Sequence, residues 1–177
     1  IEEAKKFGLS LKKIDDQLCI PYKYNVNPEK LTVGFISADL RNHPVGYYLI
    51  DTLEYLKKKN IKLVAYHNST KTDNLTEKLK KHFDTWCNIK DKNDLSVINL
   101  IRENGVHILI DMSGHTAKNR LSIFVNKPAP IQVTWLGYNA STGLKEIDYI
   151  IGDQYVIPLK NKNQFTENIL QLPNIWS

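Results

Sequence analysis

The sequence predicts an α/β fold: a Rossmann-like parallel sheet with helices on both faces, preceded by one helix. Three observations lead there. From residue 31 onward, short apolar runs rich in β-branched residues alternate with amphipathic stretches of about ten residues, the pattern of βαβ units. The connections are long enough for right-handed crossovers, which put helices on both sheet faces. A chain of 177 residues that is 42% hydrophobic and 24% charged is large and apolar enough for one globular domain with a sizeable core.

The elements follow in order. Ile1, Ala4, Phe7, Leu11, Ile14 and Leu18 fall at helical spacing, so a helix is expected over residues 1 to 18. Pro21, Asn25, Asn27 and Pro28 mark a linker. Leu31–Ile36 is a compact apolar run and reads as a buried strand; Val45–Lys59 carries Leu49, Leu53 and Leu56 on one side and reads as a helix. Ile61–Tyr66 is a second strand, Asp73–Phe83 a helix with Leu75, Leu79 and Phe83 in register, and Thr85–Ile89 a short strand. A helix over Asp94–Asn104 ends at Gly105, a residue suited to the left-handed cap. Val106–Ile110 is a strand, Asn119–Val125 a short helix, and Ile131–Trp135, Asp148–Gly152 and Ile169–Leu172 are later strands.

The totals exclude several classes. Net charge is +5, but the lysines are scattered over helix faces with Asp and Glu among them, a solvated surface rather than a nucleic-acid footprint. No apolar run reaches the roughly 18 residues of a membrane span. Cys19 and Cys87 stand apart with no metal-ligand spacing, and a reducing, cytoplasmic setting is expected. The sequons at Asn68, Asn74 and Asn139 are read as chance. The chain opens on Ile-Glu-Glu rather than Met, so it is expected to be a piece of something longer.

In open α/β sheets ligands bind outside the carboxyl ends of the strands, which turns the strand order into a list of loops. Three have unusual compositions. Ser37–Gly46 holds Asp39, Arg41, Asn42 and His43, with Pro44 placed to start the next helix. Two readings stand: His43 is a base near neutral pH, kept uncharged by the helix end, or Asn42 caps the helix and His43 is merely exposed. Asp111–Arg120 holds Asp111, Gly114, His115 and Thr116; either Asp111 orients a His or a sugar hydroxyl, or it is a turn residue and His115 lies on the surface. His107, inside an expected strand, reads as packed. Leu136–Gly143 flanks Tyr138, Asn139, Ser141 and Thr142 with Gly137 and Gly143, small residues able to turn backbone N–H groups to a phosphate or an acceptor chain. No zinc spacing, calcium loop or nucleophile elbow is present.

At these loops the chain resembles the family 41 glycosyltransferases, the O-GlcNAc transferase and SPINDLY-type group. Leu31–Gly46, Gly105–Thr116, Pro128–Tyr138 with Ser141–Gly143, and Asp148–Asp153 come in the family's order and spacing. The resemblance implies a GT-B enzyme that moves a sugar, without a metal or other cofactor, from a nucleotide-sugar donor such as UDP-GlcNAc or GDP-fucose to Ser or Thr of a protein or peptide. Residues 29–177 would be its amino-terminal Rossmann-like domain. Residues 1–28 would be the junction to a preceding tetratricopeptide array, and the second catalytic domain is absent from this chain. The resemblance makes His43 and Asp111 the catalytic residues. Asn42, Pro44, His115, Thr116, Gly137, Tyr138, Ser141, Thr142 and Gly143 become substrate-binding residues; nucleic acid and membrane are not expected partners. Two departures stand out. Asn139-Ala140 replaces the family's usual Pro-Gly, which motivates the alternative of a non-catalytic binding module that kept the fold. Asp111 and His115 match bacterial and SPINDLY-type members, where animal enzymes have Asn and Tyr.

Overall fold

The computed structural model describes residues 1–175; Trp176 and Ser177, the end of the domain expected over 29–177, lie outside the described residues. Among the described residues there are seven strands: β1 (Leu31–Ser37), β2 (Ile61–His67), β3 (Thr85–Asn88), β4 (Ile108–Asp111), β5 (Ile131–Thr134), β6 (Tyr149–Asp153) and β7 (Asn168–Leu172). They form one sheet in the order β3-β2-β1-β4-β5-β6-β7, and every neighbouring pair is parallel. The helices are α1 (Glu2–Ser10), α2 (Pro44–Lys57), α3 (Asn74–Lys80), α4 (Asp94–Glu103) and α5 (Leu121–Phe124).

The two-residue period of each strand sorts its side chains onto two cores. Val33 and Phe35 of β1, Leu63 and Ala65 of β2 and Ile110 of β4 pack with Leu49 and Leu53 of α2 and with Leu75 and Leu79 of α3. Ile36, Val64, Tyr66 and Leu109 point the other way, onto Val97, Ile98 and Ile101 of α4 and onto Leu121, Ile123 and Phe124 of α5. Burying such a side chain contributes about 1.5–3 kcal/mol. This two-sided burial explains why the strands read as continuous apolar runs. The predicted fold class stands.

Two local expectations are corrected. The first helix stops at Ser10 rather than running to residue 18; Leu11 is extended, and a 3-10 turn follows over Asp16–Leu18. Tertiary contacts take over there: Ile14 N–H donates to Asn126 Oδ1 at 2.7 Å, and Leu11 and Ile14 lean on the α4–α5 core. The lead into the expected linker is pinned, a detail the spacing did not address. Buried Arg102 holds Asp16 at 2.6 Å and the Ile20 carbonyl at 3.0 Å, while Lys23 N–H donates to the Arg102 carbonyl. The strand expected at Val106–Ile110 begins at Ile108, because Val106 N–H still bonds back to Ile101 at the end of α4.

Candidate functional site

The chain winds outward from β1 through β2 to β3, then crosses back to β4 beside β1. That reversal opens a crevice at the carboxyl ends of β1 and β4, where doubly wound sheets bind ligands. The first two loops singled out by composition leave from these two strands, and the third leaves β5 next door. The second and third loops touch. A Cβ on Gly137 would stand 2.0 Å from the Met112 carbonyl oxygen, and one on Gly114, at φ +52°, would stand 2.4 Å from Tyr138 Cβ. Only glycine permits both approaches.

In the first loop His43 itself caps α2: its Nδ1 accepts from Val45 N–H at 3.3 Å, and Pro44 is the first helical residue. Asn42 is therefore not the cap; it is exposed, and its N–H donates to Asp73 Oδ2 at 2.7 Å. An Nδ1 that accepts a backbone N–H is unprotonated, so a neutral His43 carries its proton on Nε2. That nitrogen lies 3.9 Å from Asp39 Oδ2, and Asp39 Oδ1 is held by Arg41 at 2.9 Å. With the cap in place a neutral His43 offers Nε2–H as a donor. Asp73 ties the loop to α3 through a capping box, and the bonds from Asn42 and Thr76 hold its carboxyl group below the usual carboxylate range.

Asp111, expected to be catalytic, is fully buried. Its carboxyl group accepts from Ser113 N–H at 3.1 Å, Gly114 N–H at 2.8 Å and the Thr134 hydroxyl at 2.9 Å. Burial pushes this group up from the ordinary carboxylate range, opposed by the bonds from Gly114, Thr134 and Ser113 and by nearby His115. So enclosed, Asp111 shapes the loop from beneath through these three bonds. His115, half-buried, stands edge-on between Phe7 of α1 and Tyr138, with ring centroids 4.9 and 5.5 Å away. Its Nε2 donates to the Thr142 carbonyl at 2.9 Å. The Thr116 hydroxyl turns inward to the Ser113 carbonyl.

In the third loop Ser141 and Thr142, expected among the substrate-binding residues, are buried, and their hydroxyls bond to Glu167. Gly143, at φ +77°, lies under α1: a Cβ there would stand 2.2 Å from the backbone of Ala4. Asn139 is exposed and Tyr138 half-buried beside a cavity of about 310 Å³, bounded also by Ile1, Ala140, Pro158 and Phe165. The sequence reading missed Glu167, Thr134 and Phe7. Glu167 meets its partners across 25 residues of chain, so no local pattern announces it. Both cysteines are free, and among the described residues no three His, Cys, Asp or Glu side chains converge as metal ligands. None of the described helices is long and apolar enough to cross a membrane.

Comparison with known proteins shows the family. The profile of glycosyl transferase family 41 matches residues 3–176. A Petunia hybrida protein named "Probable UDP-N-acetylglucosamine–peptide N-acetylglucosaminyltransferase SPINDLY" is 37% identical over 153 residues, 84% of this chain and 16% of the relative. The UDP-N-acetylglucosamine–peptide N-acetylglucosaminyltransferase of Caenorhabditis elegans is 34% identical over 154 residues, 85% of this chain and 13% of the relative. A solved mutant O-GlcNAc transferase from Thermobaculum terrenum superposes with a TM-score of 0.86 at 32% identity, covering 98% of this chain and 33% of the other. The chain thus spans a small part of the curated relatives it matches. It belongs to glycosyl transferase family 41.

Proposed function

We propose that this chain is the amino-terminal Rossmann-like half of the catalytic region of a protein O-glycosyltransferase, and that its three loops form one wall of the cleft in which a sugar passes to Ser or Thr. A second Rossmann-like domain of the parent protein supplies most of the donor pocket, and α1 continues a tetratricopeptide array. The observation that carries this reading is the placement of the three family-like loops at the carboxyl ends of the neighbouring strands β1, β4 and β5, around the switch point of the sheet, with the second and third in contact. The names of the relatives favour UDP-GlcNAc as donor. GDP-fucose is the competing donor.

In the transfer, the acceptor hydroxyl oxygen bonds to the anomeric carbon while the bond from that carbon to the diphosphate breaks. The hydroxyl proton passes to solvent water, and the electron pair of the broken bond stays on the leaving diphosphate as negative charge. The first loop presents His43 Nε2–H, a donor suited to that developing charge, and the half-buried surface around Tyr138 suits an extended acceptor chain. His43→Ala in the parent lowers turnover by on the order of a hundredfold, the usual size of such a contribution. An unchanged rate would remove His43 from the machinery. The donor is read by thermal shift of the parent: at a hundredfold excess over Kd the true donor adds about 2.7 kcal/mol. Stabilisation by GDP-fucose alone would overturn UDP-GlcNAc.

A further inference from the structure

Glu167 is a buried carboxyl group that the reading above leaves without a task. It sits just before β7, 5% exposed. One oxygen accepts from Thr142 N–H at 2.8 Å and from the Thr142 hydroxyl; the other accepts from the Ser141 hydroxyl at 2.7 Å and the Thr166 hydroxyl at 3.1 Å. Ser141 Oγ in turn accepts from the amides of Gly143 and Thr166, each at 3.1 Å. Thr142 is thus gripped by its amide and its hydroxyl, and its carbonyl oxygen is presented to His115 Nε2 at 2.9 Å. A carbonyl only accepts, so Nε2 must carry the proton. In a neutral ring Nδ1 then holds a lone pair. Among the described residues no protein group bonds to that atom, and it is not sealed from solvent. Phe7 and Tyr138 fix the plane of the ring.

We propose that Glu167 is a positioning residue: through Thr142 it locks His115 in the Nε2–H tautomer and makes Nδ1 the hydrogen-bond acceptor of the cleft, ready for a hydroxyl of the sugar or of the acceptor chain. The nature of that hydroxyl rests on the glycosyltransferase reading; the tautomer does not. His115 and His43 then play opposite parts, because the backbone fixes a lone pair inward at His43 and a proton inward at His115.

The test is nitrogen-15 NMR of this chain labelled at its imidazoles, above the histidine titration range. His115 shows a pyridine-type Nδ1 and a pyrrole-type Nε2. In Glu167→Ala the two signals move toward the average of both tautomers. Glu167→Gln, which keeps an oxygen for the Thr142 amide, retains the native pattern. The signals of His43, His67, His82 and His107 report whether each variant is folded. Should the alanine variant fail that check, Glu167→Asp, with the carboxyl group drawn back by one methylene, gives the same readout. A wild-type His115 protonated on Nδ1, or a folded Glu167→Ala or Glu167→Asp variant with an undisturbed His115, overturns the proposal. In the parent enzyme His115→Phe keeps the ring packing and removes the acceptor, so kcat falls at least about tenfold. A parent that transfers sugar equally well with His115→Phe refutes the acceptor role. A parent that transfers no sugar refutes the functional reading and leaves the tautomer result standing.

Discussion

Replacing Asp111 by Ala tests whether the second loop is shaped from beneath. The substitution strands the amides of Ser113 and Gly114, both in buried residues, while the Thr134 hydroxyl can rotate to another partner. An unsatisfied buried donor costs about 1–3 kcal/mol, so the two amides cost about 2–6 kcal/mol. Part of this is offset, because the variant no longer desolvates a carboxyl group. The net loss is about 2–4 kcal/mol. For a chain of 177 residues each kcal/mol moves Tm by about 2–4 °C, so Tm falls by about 4–16 °C. Urea denaturation measures it directly, as a lower midpoint at unchanged slope. Asp111→Asn keeps one acceptor oxygen but turns an NH2 toward the other amide, so it recovers roughly half the loss. A loss below about 0.5 kcal/mol for Asp111→Ala, the range of ordinary surface changes, would refute the idea that Asp111 holds the loop.

Two further perturbations follow from the loops. Gly143→Ala combines a left-handed backbone with a direct clash against Ala4, and α1 buries none of its own residues in the core. The variant therefore lifts α1: hydrogen exchange accelerates in α1 while the amides of β1 and β4 keep their protection, and uniform acceleration would show that α1 is integral to the fold. Asp73→Asn probes the first loop through pH. A carboxyl group whose folded pKa is depressed stabilises above the ordinary carboxylate range, and that contribution is lost as pH falls through the folded value. Urea midpoints of wild type and Asp73→Asn consequently differ near neutrality and converge in acid; a constant gap would mean that the Asp73 bonds do not depend on its charge.

The sheet and its winding were readable because burial on both faces leaves a simple trace: runs such as Leu31–Ile36 and Ile61–Tyr66 with amphipathic helices between them. The loops were readable for a related reason, since glycine and small polar residues gathered at strand ends have no core to serve. The tasks inside the loops were not. The bonds that join Ser141 and Thr142 to Glu167, and Asp111 to Thr134, are made only by the tertiary fold. Both partners lie more than 20 residues away in the chain, beyond any local pattern. The first helix failed for the same kind of reason. Leu11 and Ile14 keep helical spacing, yet Asn126 and the α4–α5 core draw them into an extended path. The cap of α2, which one reading gave to Asn42, is His43, because a histidine side chain can occupy the position normally taken by Asn, Asp or Ser.

The central claim is that this crevice belongs to a protein O-glycosyltransferase, and intact-mass spectrometry of an acceptor tests it most directly. The parent protein is incubated with a Ser/Thr-containing polypeptide and UDP-GlcNAc, in wild-type and His43→Ala forms. The account predicts that the polypeptide gains the mass of one or more N-acetylhexosamine residues, and that the gain is slowed on the order of a hundredfold in the variant. A polypeptide that gains no sugar from UDP-GlcNAc or GDP-fucose, in the presence of folded parent protein, would contradict it.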